Sequence, residues 1–129
     1  VVRVRREDDT YYMTYKGKGM MAREEYNLPL NAEAYQHLRE KADGNIITKR
    51  RYLIPLKNPS FVKGYHAPAD THLTIELDVF EVPFAPLIIA EVEFPDTDMA
   101  NAFQMPDWFL EDVTMDSRYH NSNLSKQIF

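Results

Sequence analysis

The sequence predicts a mainly β, antiparallel fold of the α+β kind, with two or three helices beside the strands. Three observations carry this. Seven segments are rich in β-branched and aromatic residues, charges recur with period two along most of them, and few stretches have helical spacing.

The strand candidates are 1–6, 10–17, 20–30, 46–56, 73–81, 86–94 and a short one near 112–115. A helix fits 32–43, with Asn31 as cap, Tyr35, Leu38 and Ala42 at helical spacing, and Gly44 as the stop. A second fits 97–104, capped by Asp96 or Thr97 and ended by Pro106. Residues 58–70 hold two prolines and a glycine and read as an irregular loop. No internal repeat or low-complexity linker interrupts the chain, so one domain over 1–129 is expected.

Composition sets outer limits. An apolar content of 44% suffices for an ordinary core, and a formal charge of -5 argues against a general nucleic-acid binder. Absence of Cys excludes disulfides and thiolate metal sites. There is no run of about 18 apolar residues and no signal-peptide pattern, so a soluble, cytoplasmic protein without a membrane partner is expected. The chain opens VVRVRR, already in a strand pattern and without Met, and an upstream portion is expected to be missing.

The charges are ordered by parity. Successive side chains of a strand point to opposite faces. In LIIAEVEF, residues 87–94, Glu91 and Glu93 therefore share one face, and Ala90, Val92 and Phe94 share the other. The same holds for Arg3 with Arg5, Lys16 with Lys18, Arg23 with Glu25 and Asn27, Lys49 with Arg51, and Glu76 with Asp78. A solvated sheet face is the plain explanation, since antiparallel sheets often keep one wet face. Such a face mixes signs and adds Ser, Thr and Gln, whereas here the first two strands and 46–56 carry basic pairs and 73–81 and 86–94 carry acidic ones. The alternative is a closed or nearly closed barrel with an ionic interior, its six long strands forming one curved sheet.

Buried charges need partners. Arg and Lys suit phosphate, the first through a planar two-pronged donor and the second as a point charge. Carboxylates without Cys or His suit hard cations such as Mg²⁺ or Mn²⁺. Basic and acidic strands facing one cavity thus point to a metal and a phosphate chain. Other residues carry less: His37, His66, His72 and His120 have no ligand spacing, Arg118 has Asp116 beside it, Lys18 reads as a turn residue, and Trp108 with Phe103, Met105 and Phe109 reads as packing.

In order along the chain stand R-x-R (Arg3, Arg5), a strand ending K-G (Lys16), R-x-E (Arg23, Glu25), K-x-R-Y (Lys49, Arg51, Tyr52), E-x-D-V-F (Glu76, Asp78), A-E-V-E-F (Glu91, Glu93) and V-T-x-D-x-R-Y-x-N (Val113 to Asn121). This series resembles the CYTH domain of the triphosphate tunnel metalloenzymes over the whole chain. The resemblance implies an eight-stranded antiparallel β-barrel tunnel acting on triphosphate compounds with a divalent cation, Mg²⁺ or Mn²⁺. Family members include inorganic triphosphatases, thiamine triphosphatases and class IV adenylate cyclases.

The resemblance also implies roles. Arg3, Arg5, Lys16, Arg23, Lys49 and Arg51 would hold phosphate oxygens, with Arg51 also catalytic. Glu91 and Glu93, as catalytic metal ligands, would act with Glu25, Glu76 or Asp78. A short helix in NSNLSKQIF, residues 121–129, would close one tunnel end. Three departures stand out: the family's E-x-E-x-K strand, which precedes R-x-R, is absent; Asn27 stands where a second Glu usually follows R-x-E; and Asp112 replaces the Glu before Val-Thr. The barrel is accordingly expected to lack its first strand, to show an open seam, and to have little activity in this length. Hydrolysis of inorganic or organic triphosphate is the favoured function, a class IV type adenylate cyclase the runner-up, and a non-catalytic polyphosphate or nucleotide binder the reading from another class. A homodimer is left open.

Overall fold

In the computed structural model, which describes residues 2–19 and 22–127, the chain folds as two units: residues 1–46 with 113–129, and residues 47–112.

The first unit is built on three strands, β1 (Val2–Glu7), β2 (Thr10–Lys16) and β3 (Glu25–Leu30), antiparallel in the order β1-β2-β3. Two residues, Asp8 and Asp9, join β1 to β2, and Asp8 takes the left-handed conformation (φ 52°) that Asp tolerates better than most residues. Pro29 removes one ladder donor, which an edge strand such as β3 can bear. Tyr11, Met13, Tyr15, Tyr26 and Leu28 share the apolar face, and helix α1 (Ala32–Arg39) packs over part of it, with Tyr35 5.2 Å from Tyr11 ring to ring.

Asn31 caps α1 as its sequence position suggests, its Oδ1 accepting from Ala34 N at 2.7 Å. The helix ends earlier than the expected residue 43, because the chain tightens into i+3 turns, Lys41 N to Leu38 O and Ala42 N to Arg39 O. Gly44 is therefore not the helix stop. It lies against the C-terminal segment, where a Cβ would stand 2.5 Å from Ser125 O. Asn45 ties the same junction, its N–H donating to Ser125 O at 2.6 Å and its Nδ2 to Gln127 O at 2.7 Å. That junction holds the short helix α2 (Asn121–Leu124), with Leu124 buried.

The second unit has a central sheet of β4 (Lys49–Leu56), β5 (Leu73–Phe80) and β6 (Ile88–Val92), antiparallel in the order β4-β5-β6. The middle strand β5 carries four buried residues, Leu73, Ile75, Asp78 and Phe80. Helix α3 (Thr97–Ala102) is capped by Asp96, whose carboxylate accepts from Met99 N at 2.8 Å, and it buries Met99 and Ala102. It is two residues shorter than expected, because Phe103–Gln104 (β7) turns to extended backbone and pairs with Ser60–Phe61 (β8) inside the segment that reads as irregular. Aromatic contacts hold this ribbon: Phe61 lies 5.0 Å from Tyr65 and 6.1 Å from Phe103, and Phe94 lies 5.1 Å from Phe103.

Several expectations need correction. The described strands form two three-stranded sheets and one two-stranded ribbon, where a single curved sheet of six strands is expected, and a closed eight-stranded barrel is not seen among them. The strand expected over 20–30 begins only at Glu25, since Gly17 N bonds Glu24 O at 2.8 Å and closes a loop there. The strand expected near 112–115 is a turn, Asp116 N to Val113 O at 2.9 Å, leading into a 3₁₀ helix over Ser117–Tyr119. No helix among the described residues is long and apolar enough to cross a membrane.

Replacing Asn31 by Ala is expected to cost about 1 kcal/mol, and Asn31→Asp close to nothing, because only the first leaves Ala34 N without its acceptor. Urea unfolding of the two variants checks this.

Candidate functional site

In the first unit, strand pairing lines up a polar face in rows. Arg3 stands opposite Thr14 and Thr14 opposite Asn27; Arg5 stands opposite Tyr12; Lys16 stands opposite Glu25. Thr14 is fully buried, and its hydroxyl donates to Asn27 Oδ1 at 2.7 Å, which satisfies the one hydroxyl the face encloses. Arg23, outside β3, is exposed.

The two arginines differ. Arg5 Nη2 donates to Glu7 Oε1 at 2.6 Å, and its guanidinium lies 5.0 Å from the centre of the Tyr12 ring. Arg3 is mostly covered, and its Nε is buried without a hydrogen-bond partner. Burial, then the charge of Arg5, pull its pKa down to about 10 against the opposing pull of Glu25. At neutral pH it is still a cation. A covered cation with an unsatisfied N–H favours an incoming anion.

The second unit carries the other face. Arg51 stands directly opposite Asp78, and Glu76 directly opposite Glu91. Arg51 grips Asp78 with two prongs, Nε to Oδ1 at 2.7 Å and Nη2 to Oδ2 at 2.9 Å, and reaches Glu76 Oε2 with Nη1 at 2.5 Å. Lys49 Nζ donates to Asp78 Oδ2 at 2.7 Å and lies 5.3 Å from the centre of the Phe80 ring. Asp78, counted from the sequence among the metal ligands, is only 1% exposed, and both its oxygens are taken by cations.

Titration behaviour follows from these contacts. Burial pushes Asp78 up, but the bonds from Arg51 and Lys49 outweigh it and hold the carboxyl below its ordinary value. The bond to Asp78 raises Arg51, whereas burial lowers Lys49. Glu76 moves the other way: burial raises it, Arg51 only partly offsets this, and Glu93, Glu91 and Asp78 raise it further. Within the paired strands three carboxylates, Glu76, Asp78 and Glu91, share this face with two cations, Lys49 and Arg51, and Glu93 follows just past the strand end. Facing carboxylates repel. Glu76, Glu91 and Glu93 could hold a metal, although no three acidic or histidine side chains among the described residues form a ready-made cluster.

Parity groups these residues by face. Lys49, Arg51, Glu76 and Asp78 form one bonded group with Glu91 opposite Glu76, Glu93 lies just past the end of β6, and Arg3, Arg5, Lys16 and Glu25 share the polar face of the first unit's sheet. Glu7 is the residue that reasoning missed, because the expected strand stopped at residue 6; one more step of the same period-two count reaches it.

The family model described as the CYTH domain matches residues 1–127. The chain belongs to the CYTH domain family. This CYTH chain is 34% identical over 127 residues to an inorganic triphosphatase of Nitrosomonas europaea, covering 98% of the chain and 76% of the relative. It is 36% identical over 128 residues to an inorganic triphosphatase of Acetivibrio thermocellus, covering 97% of the chain and 71% of the relative. A crystal structure of an inorganic triphosphatase superposes on the CYTH chain with a TM-score of 0.63 at 32% identity, over 98% of the chain and 75% of that structure.

Asp78→Asn keeps the shape but leaves Lys49 without its carboxylate and Arg51 with Glu76 alone, so it is expected to cost about 3 kcal/mol in urea unfolding at neutral pH. A carboxyl held below its ordinary value of 3.8 stabilises the fold above that value and loses the contribution as pH falls through the lower folded one. The gap between wild type and variant should therefore narrow below about pH 3.8.

Proposed function

We propose that this CYTH protein hydrolyses a triphosphate compound, inorganic triphosphate in the first place, with a divalent cation such as Mg²⁺ or Mn²⁺. The observation that carries the reading is a pair of ionic faces, one in each unit, the first with an unsatisfied buried arginine and the second with more carboxylates than cations, in a chain related to two inorganic triphosphatases. The eight-stranded barrel tunnel that the resemblance implies belongs to this proposal and rests on the family alone.

Arg3 supplies the strongest anion contact, because binding there satisfies an N–H that is otherwise stranded. Arg5 and Lys16 extend the contact along the same face, and Arg23 and Glu25 stand at its edge. Arg51 and Lys49 act while anchored to Asp78, which fixes their direction, so that they neutralise charge on the departing phosphoryl group without having to be reoriented. Asp78 serves as their anchor.

The donor set fits a hard cation: Glu76, Glu91 and Glu93 offer only oxygen, and burial first, with the neighbouring carboxylates adding to it, raises the proton affinity of Glu76, a cost a bound cation would relieve. Glu76, Glu91 and Glu93 would hold such a cation, which would supply positive charge to offset the negative charge of the triphosphate. Glu91 and Glu93 are exposed and accessible to such an ion with its remaining water ligands.

Phosphate release from tripolyphosphate, thiamine triphosphate and ATP, measured side by side with Mg²⁺, Mn²⁺ and a chelator, tests the reading. Tripolyphosphate is expected to be the best substrate, and turnover to stop with the chelator. Glu93→Gln should lower turnover at least about tenfold with little change in melting temperature, because it removes a ligand and a repulsion together. Metal-independent turnover, or preferred conversion of ATP to a cyclic product, would contradict the proposal.

A further inference from the structure

The two arginines on the first sheet are in different states. Arg3 Nε is buried without a partner, whereas Arg5 is engaged twice, by Glu7 at 2.6 Å and by the Tyr12 ring at 5.0 Å. The register makes this so: Tyr12 faces Arg5 across the β1–β2 ladder, and Glu7 lies two residues along β1 from Arg5, on the same face. Burial, with the Glu7 carboxylate nearby, holds the Tyr12 phenol above its ordinary pKa. Glu7 thus bonds the same guanidinium that rests over the Tyr12 ring.

Exposure decides which member can move. The Arg5 side chain is 20% exposed and that of Glu7 53%. Glu7 sits at the strand end, next to the Asp8–Asp9 turn, and among the described residues Arg5 alone is seen to bond its carboxylate. A carboxylate on the guanidinium takes the place that a phosphate oxygen would need, since both accept from the same planar fork.

The geometry points to Glu7 as an internal anion that occupies Arg5 in the absence of ligand and is displaced by phosphate, with Tyr12 as the positioning residue that keeps the Arg5 guanidinium in place through the exchange. This rests on Arg5 being a phosphate contact, as in the function proposed above. It makes Glu7 and Tyr12 determinants of affinity: an anion must outcompete a carboxylate to engage Arg5, and Arg3 is where it first gains a contact without competition.

Calorimetric titration with tripolyphosphate separates the outcomes. Glu7→Gln is expected to tighten binding roughly two- to fivefold, the range set by half-exposed ion pairs. A merely structural role would give no gain. In an Arg5→Met background the same change should add nothing, which separates competition for Arg5 from the general loss of a negative charge. Tyr12→Leu should weaken binding roughly two- to fivefold, as loss of an exposed cation–π contact does, and Tyr12→Phe should restore most of it. Unchanged or weaker binding by Glu7→Gln, or a gain that persists with Arg5→Met, would overturn the competitor role while leaving the proposed function standing. Unchanged binding by Tyr12→Leu would overturn the positioning role. A wild-type protein that binds no tripolyphosphate would overturn the proposed function and this inference with it.

Discussion

A carboxylate that is 1% exposed cannot remain charged without close partners, and most of the second unit follows from how Asp78 meets that demand. Its oxygens take three charge-assisted bonds, two from Arg51 and one from Lys49. Those bonds exist because Arg51 stands directly across the ladder from Asp78, with Lys49 two residues away on the same face. A slip of one residue between β4 and β5 would send both cations to the apolar face and leave the aspartate alone. Ile75 and Leu73 need the same register, since they occupy the opposite face of β5. Apolar burial and ion pairing thus select one alignment.

The charge left over after that pairing gives the site its character. Arg51 is shared between Asp78 and Glu76, so Glu76 is only partly compensated, and among the described residues no ion pair joins Glu91 or Glu93 to a cation. Burial raises the pKa of Glu76, and the neighbouring Glu93, Glu91 and Asp78 raise it further against the pull of Arg51. The first unit shows the opposite imbalance, a covered arginine still charged at neutral pH with an unsatisfied N–H. Under the proposed function, these two imbalances are what draw an anion to one face and a cation to the other.

Parity was the legible part. Because the side-chain period in a strand is two, the pairs Arg3 and Arg5, Lys49 and Arg51, Glu76 and Asp78, and Glu91 and Glu93 could be assigned a shared face without coordinates. Parity does not tell which strand lies beside which, and so the division into separate sheets was not legible. Boundaries failed where long-range contacts decide them. Arg23 falls outside β3 because the backbone of Gly17 and Glu24 closes a loop, and Gly44 serves a close approach to Ser125, about eighty residues on, which a local helix-stop rule cannot anticipate. The turn at 113–116 was missed for a similar reason: Val and Thr favour strands, but the Asp116 carboxylate accepts from Arg118 N and starts a 3₁₀ turn instead.

The claim that the surplus carboxylates exist to hold a cation is tested most directly by electron paramagnetic resonance of free Mn²⁺, titrated with protein in the presence of a non-hydrolysable triphosphate analogue. The account predicts that wild-type protein removes the free-ion signal in proportion to its concentration, and that the double variant Glu91→Gln, Glu93→Gln leaves most of that signal in place. Equal loss of signal with both proteins would contradict it.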